Sequence, residues 1–122
     1  MKILIVDDSS LIRKIVKSAI SVLRMDSLEA NDGLEAMTLL EQFHKEIALV
    51  LLDWNMPNKS GFEVLVDMKQ TDEFKHIPVM MVTTESQKSS IVAAIRAGAD
   101  NYLTKPFTME ELESKILECL EV

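Results

Sequence analysis

Four short apolar runs in this sequence are each followed at once by side chains that can do chemistry. Val6 precedes Asp7 and Asp8, Leu52 precedes Asp53, Val82 precedes Thr83 and Thr84, and Tyr102-Leu103-Thr104 precedes Lys105-Pro106. Taken singly, an Asp pair before a helix reads as capping and a Thr at a strand end as β-propensity. Recurrence at four run ends points instead to one shared site. Three carboxylates about 4 Å apart in a medium of effective dielectric near 20 repel by roughly 4 kcal/mol per pair. Lys105 supplies one positive charge and leaves a deficit of two. A hard divalent cation with oxygen ligands fills that deficit, and Mg²⁺, which prefers one or two carboxylates, waters and a phosphate, is the expected ion. A carboxylate beside such an ion, with an ammonium and a hydroxyl near it, is equipped to attack phosphorus and form an aspartyl phosphate. Asp53 is the preferred nucleophile because it ends the most apolar run, 47–52, whereas Asp7 and Asp8 open a loop and suit metal ligation.

The elements that must bring these groups together follow from periodicity. Residues 2–6, 47–52, 78–82 and 101–104 read as strands, the first three apolar on both faces as parallel strands covered by helices are, and 27–30 is a weaker fifth. Ile12, Ile15, Val16, Ala19, Ile20 and Leu23 mark the buried stripe of a first helix, and further helices are expected over 34–43, 62–69, 89–97 and 109–120. Thr108 with Glu111 forms a capping-box pair, Asp32 with Glu35 a looser one, and Gly98 is placed to end the fourth helix in a left-handed conformation. Five βα units make an α/β domain with a parallel sheet, whose reactive edge is the carboxyl end of its strands.

Composition narrows the function. With 122 residues, 13 basic and 20 acidic side chains and a net charge of −7, the chain reads as one acidic domain spanning 1–122 with no second domain expected. It lacks any basic run to offset its repulsion of a phosphate backbone, so no nucleic acid partner is expected. The single Cys119 cannot pair internally and reads as packing, and His44 and His76 read as loop or helix-end residues without a metal partner. The run 47–52 is too short to cross a bilayer, so no membrane insertion and a cytoplasmic location are the expectations.

The strings Ile5-Val6-Asp7-Asp8-Ser9, Leu52-Asp53-Trp54-Asn55-Met56-Pro57 with Gly61 four residues on, Met81-Val82-Thr83, and Tyr102-Leu103-Thr104-Lys105-Pro106-Phe107 resemble the receiver domain of two-component response regulators. The match spans essentially the whole chain and is closest to the stand-alone chemotaxis (CheY-like) type. That resemblance implies a doubly wound, flavodoxin-like (βα)5 sandwich with strand order 2-1-3-4-5. It implies that Asp53 accepts phosphate from a histidine kinase, that Asp8, Asp53 and the backbone carbonyl of Asn55 bind Mg²⁺ with Asp7 assisting through water, and that Thr83 and Lys105 bind phosphoryl oxygens. It further implies a cis Lys105-Pro106 bond and a switch made of Thr83 and Tyr102, reshaping the fourth helix, fifth strand and fifth helix where a downstream protein target docks. Asn55, Thr84 and Glu85 match positions that tune rates; Thr84 is bulkier than the small residue usual there. The implied protein is a monomer with no enzymatic role beyond Mg²⁺-dependent self-phosphorylation and slow self-dephosphorylation, with room for a separate phosphatase. Its output is a flagellar switch in chemotaxis, or alternatively a phosphate sink or a relay intermediate.

Two other functions fit the fold less well. A flavin carrier needs a Ser/Thr/Gly-rich phosphate loop after the first strand, where this chain has two carboxylates. An aspartyl phosphatase normally carries a second Asp two residues after its nucleophile, where this chain has Asn55, and the chain has no substrate cap.

Overall fold

The structure is a computed structural model that describes residues 1–121; Val122, the last residue of the expected domain, lies outside the described residues. Five strands and five helices alternate: β1 Lys2–Val6, α1 Ser10–Val22, β2 Asp26–Ala30, α2 Gly33–Phe43, β3 Ile47–Leu52, α3 Gly61–Gln70, β4 Val79–Thr83, α4 Lys88–Ala97, β5 Asn101–Thr104 and α5 Met109–Leu120. A single 3₁₀ turn, His44–Glu46, joins α2 to β3. The strands are all parallel and lie in the order β2-β1-β3-β4-β5.

The two-residue period of a strand divides the core between the sheet's faces. Leu4, Val6, Val50, Leu52, Val79 and Met81 meet Ala36 and Leu40 of α2, Val64, Leu65 and Met68 of α3, and Ala94 of α4. Their neighbours Ile3, Ile5, Leu49, Leu51, Met80, Val82 and Leu103 meet Val16, Ala19 and Ile20 of α1 and Leu112 and Ile116 of α5. Both faces are covered, which is why Ile3–Val6, Ile47–Leu52 and Val79–Val82 are continuously apolar. β2 is an edge strand, and its sequence Asp-Ser-Leu-Glu-Ala is correspondingly mixed.

Helix ends follow local chemistry. Thr108 and Glu111 make the reciprocal capping box read from the sequence, and Ser60 and Glu63 make a second at the start of α3. Asp32 caps α2 by accepting from the Glu35 N–H at 2.8 Å, while the Glu35 carboxylate accepts from the Asn31 N–H one residue further out. Gly98 ends α4 at φ +114°, a conformation that favours glycine. Among the described residues no helix is long and apolar enough to cross a membrane, and no buried side-chain nitrogen or oxygen lacks a hydrogen-bond partner.

The expected strand over 78–82 is shifted by one residue. Pro78 has no N–H to donate and only its carbonyl joins the sheet, accepting from the Val50 N–H at 3.0 Å. The strand gains Thr83 at its other end, where Thr83 pairs with Thr104. A site hydroxyl therefore sits on the sheet itself and not in the following loop.

Candidate functional site

Register brings the site together. Val6 pairs with Leu52 across β1 and β3, and the ladder continues past both strands, with the Asp53 N–H donating to the Val6 carbonyl at 2.9 Å and the Asp7 N–H to the Ala30 carbonyl at 3.1 Å. On the other side the Lys105 N–H donates to the Thr83 carbonyl at 2.9 Å. Asp7, Asp53, Thr83 and Lys105 thus stand at the carboxyl ends of successive strands, with Asp53 following the central one as expected.

The side chains converge there. Lys105 Nζ lies 2.6 Å from Asp7 Oδ2 and 3.5 Å from Asp53 Oδ2. Asp53 Oδ1 accepts from the Trp54 N–H at 2.8 Å, and Asp7 Oδ1 accepts from the Ser9 N–H at 2.9 Å. Asp7, Asp53 and Thr83 are buried at 3%, 7% and 0% exposure, whereas Asp8 is exposed. One carboxylate oxygen from each of Asp7, Asp8 and Asp53 lies within 4.8 Å of the others. Three negative charges and one ammonium leave the cluster at about −2, and an all-oxygen donor set of that charge fits a hard divalent cation.

Burial pushes the Asp53 carboxyl above its ordinary value and the Asp7 charge adds to the rise, while the Thr83 hydroxyl, the Lys105 ammonium and the Trp54 N–H pull it back. A carboxyl raised by folding binds its proton more tightly in the folded chain, so its ionisation weakens the fold. That cost is absent below the ordinary carboxylate range and complete above the folded pKa. In metal-free buffer Asp53→Asn is accordingly expected to raise the melting temperature near neutral pH by about 2–8 °C, the usual scale of a stabilising substitution in a domain of this size. The gain should shrink as pH falls through the raised pKa into the ordinary carboxylate range and be absent below it. A thermal scan at pH 7.5 and pH 3.5 checks both points.

Thr83 and Tyr102 both lie near the start of the β4–α4 loop. The Glu85 N–H donates to Thr83 Oγ1 at 3.2 Å, the Tyr102 hydroxyl donates to the Glu85 carbonyl at 2.6 Å, and Ser90 donates to the Glu85 carboxylate at 3.1 Å. Burial pushes the Tyr102 phenol up to about 12, with the Glu85 and Asp53 charges adding, so it is a neutral donor at physiological pH. Its half-buried ring packs on the core beside Met81, its partner across β4 and β5. Thr84 and Asn55 are exposed at the rim of the site.

The Lys105-Pro106 bond is cis. Trp54 stacks on Phe62 with ring centroids 5.1 Å apart, Cys119 is half-buried against the α1–α5 core with its thiol pushed up by burial, His44 opens the 3₁₀ turn edge-on to Phe74, and His76 is exposed in a turn. Sequence reasoning overlooks two residues that hold the site's loops. Arg13 of α1 donates to the Asp7 carbonyl at 2.6 Å and to Glu29 of β2 at 3.2 Å, and Asn58 donates to Asp32 at 2.7 Å. Arg13 carries a weak signal, a cation one turn into the helix that follows the Asp pair.

Residues 3–117 match the response regulator receiver domain. The chain is 39% identical over 121 residues to a chemotaxis protein CheY homolog of Campylobacter jejuni, covering 98% of this chain and 92% of that relative. The chemotaxis protein CheY4 of Vibrio cholerae superposes with a TM-score of 0.89 at 30% identity over 98% of both chains. The Mn²⁺-bound form of the response regulator Rcp1 superposes with a TM-score of 0.82 at 31% identity, over 96% of this chain and 89% of that one. The chain belongs to the response regulator receiver family. Its fold and relatives are those of the CheY-like type, consistent with chemotaxis signalling. Receiver domains of this type bind Mg²⁺ at an acidic pocket and interact with histidine kinases and downstream targets.

Proposed function

We propose that this chain is a cytoplasmic response regulator of a chemotaxis phosphorelay, which takes a phosphoryl group from a histidine kinase onto Asp53. The observation that carries the reading is the Asp53 carboxylate, buried at the end of the central strand beside Asp7, Asp8, Thr83 and Lys105. An Asp53 oxygen attacks phosphorus while the phosphorus–nitrogen bond to the kinase histidine breaks, and the imidazole leaves with the electron pair and takes up a proton. Lys105, held between Asp7 and Asp53, and the Thr83 hydroxyl are placed to bind phosphoryl oxygens and offset charge as it builds. Asp8, Asp53 and the Asn55 carbonyl would hold Mg²⁺, with Asp7 assisting through water. The ion supplies neutralisation and orientation that a single lysine does not. That the similar response regulator Rcp1 has a Mn²⁺-bound form supports a role for a divalent ion in this fold.

Slow hydrolysis of the acyl phosphate by water is the only turnover in this reading, with Asn55, Thr84 and Glu85 at the rim tuning its rate and a separate phosphatase free to speed it. The phosphoryl group adds about two negative charges where Thr83 and Lys105 can answer them. Thr83 leads to Tyr102 through Glu85, whose N–H and carbonyl each bond one of the two side chains. A rearrangement of this bridge would reach α4, β5 and α5, the face proposed to meet a flagellar switch or other target. The chain acts as a monomer in this reading.

The test is an amide NMR comparison with and without beryllofluoride, a phosphoryl mimic. Shifts are expected around Asp8, Asp53 and Lys105 and also along α4 and at Tyr102. A coupling of about 1–3 kcal/mol would let the unmodified protein bind its target some 5- to 150-fold more weakly. Shifts confined to the acidic edge would contradict the switch.

A further inference from the structure

Asn58 is exposed, yet it adopts a left-handed φ of +69°, and the Lys59 N–H donates to the Pro57 carbonyl at 2.8 Å around it. An i to i+2 hydrogen bond about a residue of positive φ is a strained γ-turn, rare in proteins. Its side chain supplies the compensation. Asn58 Nδ2 donates to Asp32 Oδ2 at 2.7 Å, and the other oxygen of Asp32 is committed to the Glu35 N–H at 2.8 Å as the cap of α2. The contact is backed by shape: a Cβ on Gly33 would collide with the Lys59 carbonyl, so the first turn of α2 lies directly on this loop. At its base the loop is closed by the Gly61 N–H donating to the Trp54 carbonyl at 2.8 Å, and a Cβ on Gly61 would collide with the Asp53 carbonyl. Near its far end Lys59 is ion-paired with Asp67 of α3.

Asn55 lies inside that enclosed stretch, one residue from Trp54 and three from Asn58. A carbonyl on a free loop must be ordered each time a cation binds, whereas one on a latched loop is ordered in advance. We infer that Asp32 and Asn58 are positioning residues for the metal site, a latch between the β2–α2 and β3–α3 loops that holds the Asn55 carbonyl ready for a divalent cation. This rests on the reading of the acidic edge as a Mg²⁺ site. Asp32 itself touches no cation; it acts through Asn58 and the turn.

Two substitutions separate the latch from its neighbours. Asp32→Ser keeps a good N-cap for α2 but is too short to reach Asn58, and Asn58→Gly keeps the freedom to adopt positive φ while removing the bridge. Mg²⁺ alone is titrated into the 122-residue chain by calorimetry at 25 °C, well below unfolding, with wild type and Asp8→Ala as references. Each latch variant is expected to bind Mg²⁺ about 3- to 10-fold more weakly than wild type. The double variant should be no weaker than either single one, because the two residues make one bond. Backbone order parameters over residues 55–59 should fall in both variants without any metal present. Wild-type affinity in both variants, or effects that multiply in the double variant, would overturn the latch while leaving the metal site standing. Absence of Mg²⁺ binding in the wild type would overturn the metal reading and the latch together.

Discussion

Asp53→Ala is expected to reduce phosphoryl incorporation to background, at least 100-fold below wild type, when the protein is incubated with Mg²⁺ and acetyl phosphate and labelling is followed as an acid-stable, base-labile group. The size of the effect follows from placement. Asp53 follows the last residue of the central strand, with one oxygen accepting from the Trp54 N–H and the other 3.5 Å from Lys105. Asp7 is equally buried, but its two oxygens are committed to the Ser9 N–H and, at 2.6 Å, to Lys105. Asp8 is exposed and, among the described residues, has no comparable cradle of donors. A nucleophile needs an oxygen that can reach phosphorus beside groups that neutralise the developing charge, and Asp53 combines the two. Removing Lys105 instead should leave slower, residual labelling, because the acceptor remains while one source of neutralisation is lost. Labelling of Asp53→Ala at the wild-type level would move the acceptor elsewhere and undo the functional reading.

The acidic edge is legible in the sequence because parallel strands of similar length must end together. Once 2–6, 47–52 and 101–104 are read as strands, Asp7, Asp53 and Lys105 can only meet at the carboxyl edge, and the six apolar residues Ile47–Leu52 mark the central position. Thr83 is less legible. Whether it ends β4 or opens the loop depends on Pro78 and on the Asp100 carboxylate, which accepts from the Val79 N–H at 2.9 Å and fixes the strand's start from 21 residues away. The Asp32–Asn58 bond is not legible at all. Asp32 reads as a helix cap, which it is, whereas Asn58, which turns its loop at φ +69°, gives no signal of its own. Their meeting across 26 positions follows from β1 lying between β2 and β3, so that the loops after β2 and β3 flank the same Asp pair. Local propensity specifies what each residue does alone; only topology specifies which loops become neighbours.

Asp8→Ala should weaken Mg²⁺ binding at least tenfold, and chelation of the wild type should stop phosphorylation altogether. The cluster carries about −2 once Lys105 is counted, and Asp8 is its one exposed carboxylate. Asp7 is already neutralised by direct contact with Lys105, so it has least charge to offer a second cation. Losing Asp8 removes one of two unneutralised charges, and a tenfold change in affinity needs only about 1.4 kcal/mol. That is well within the roughly 4 kcal/mol that two unit charges exchange at about 4 Å in a medium of effective dielectric near 20. Asp7→Ala acts differently. It frees Lys105 to close on Asp53, so an ammonium competes with the metal at the nucleophile, and phosphorylation should fall further than metal affinity does. Trp54, the sole tryptophan, reports the difference because its N–H bonds Asp53 while its ring stacks on Phe62. Mg²⁺ should quench or shift its emission in wild type, and in Asp8→Ala only at concentrations ten or more times higher. Equal titration midpoints in the two proteins would exclude Asp8 as a ligand and require the cation to sit between Asp7 and Asp53, where Lys105 already stands.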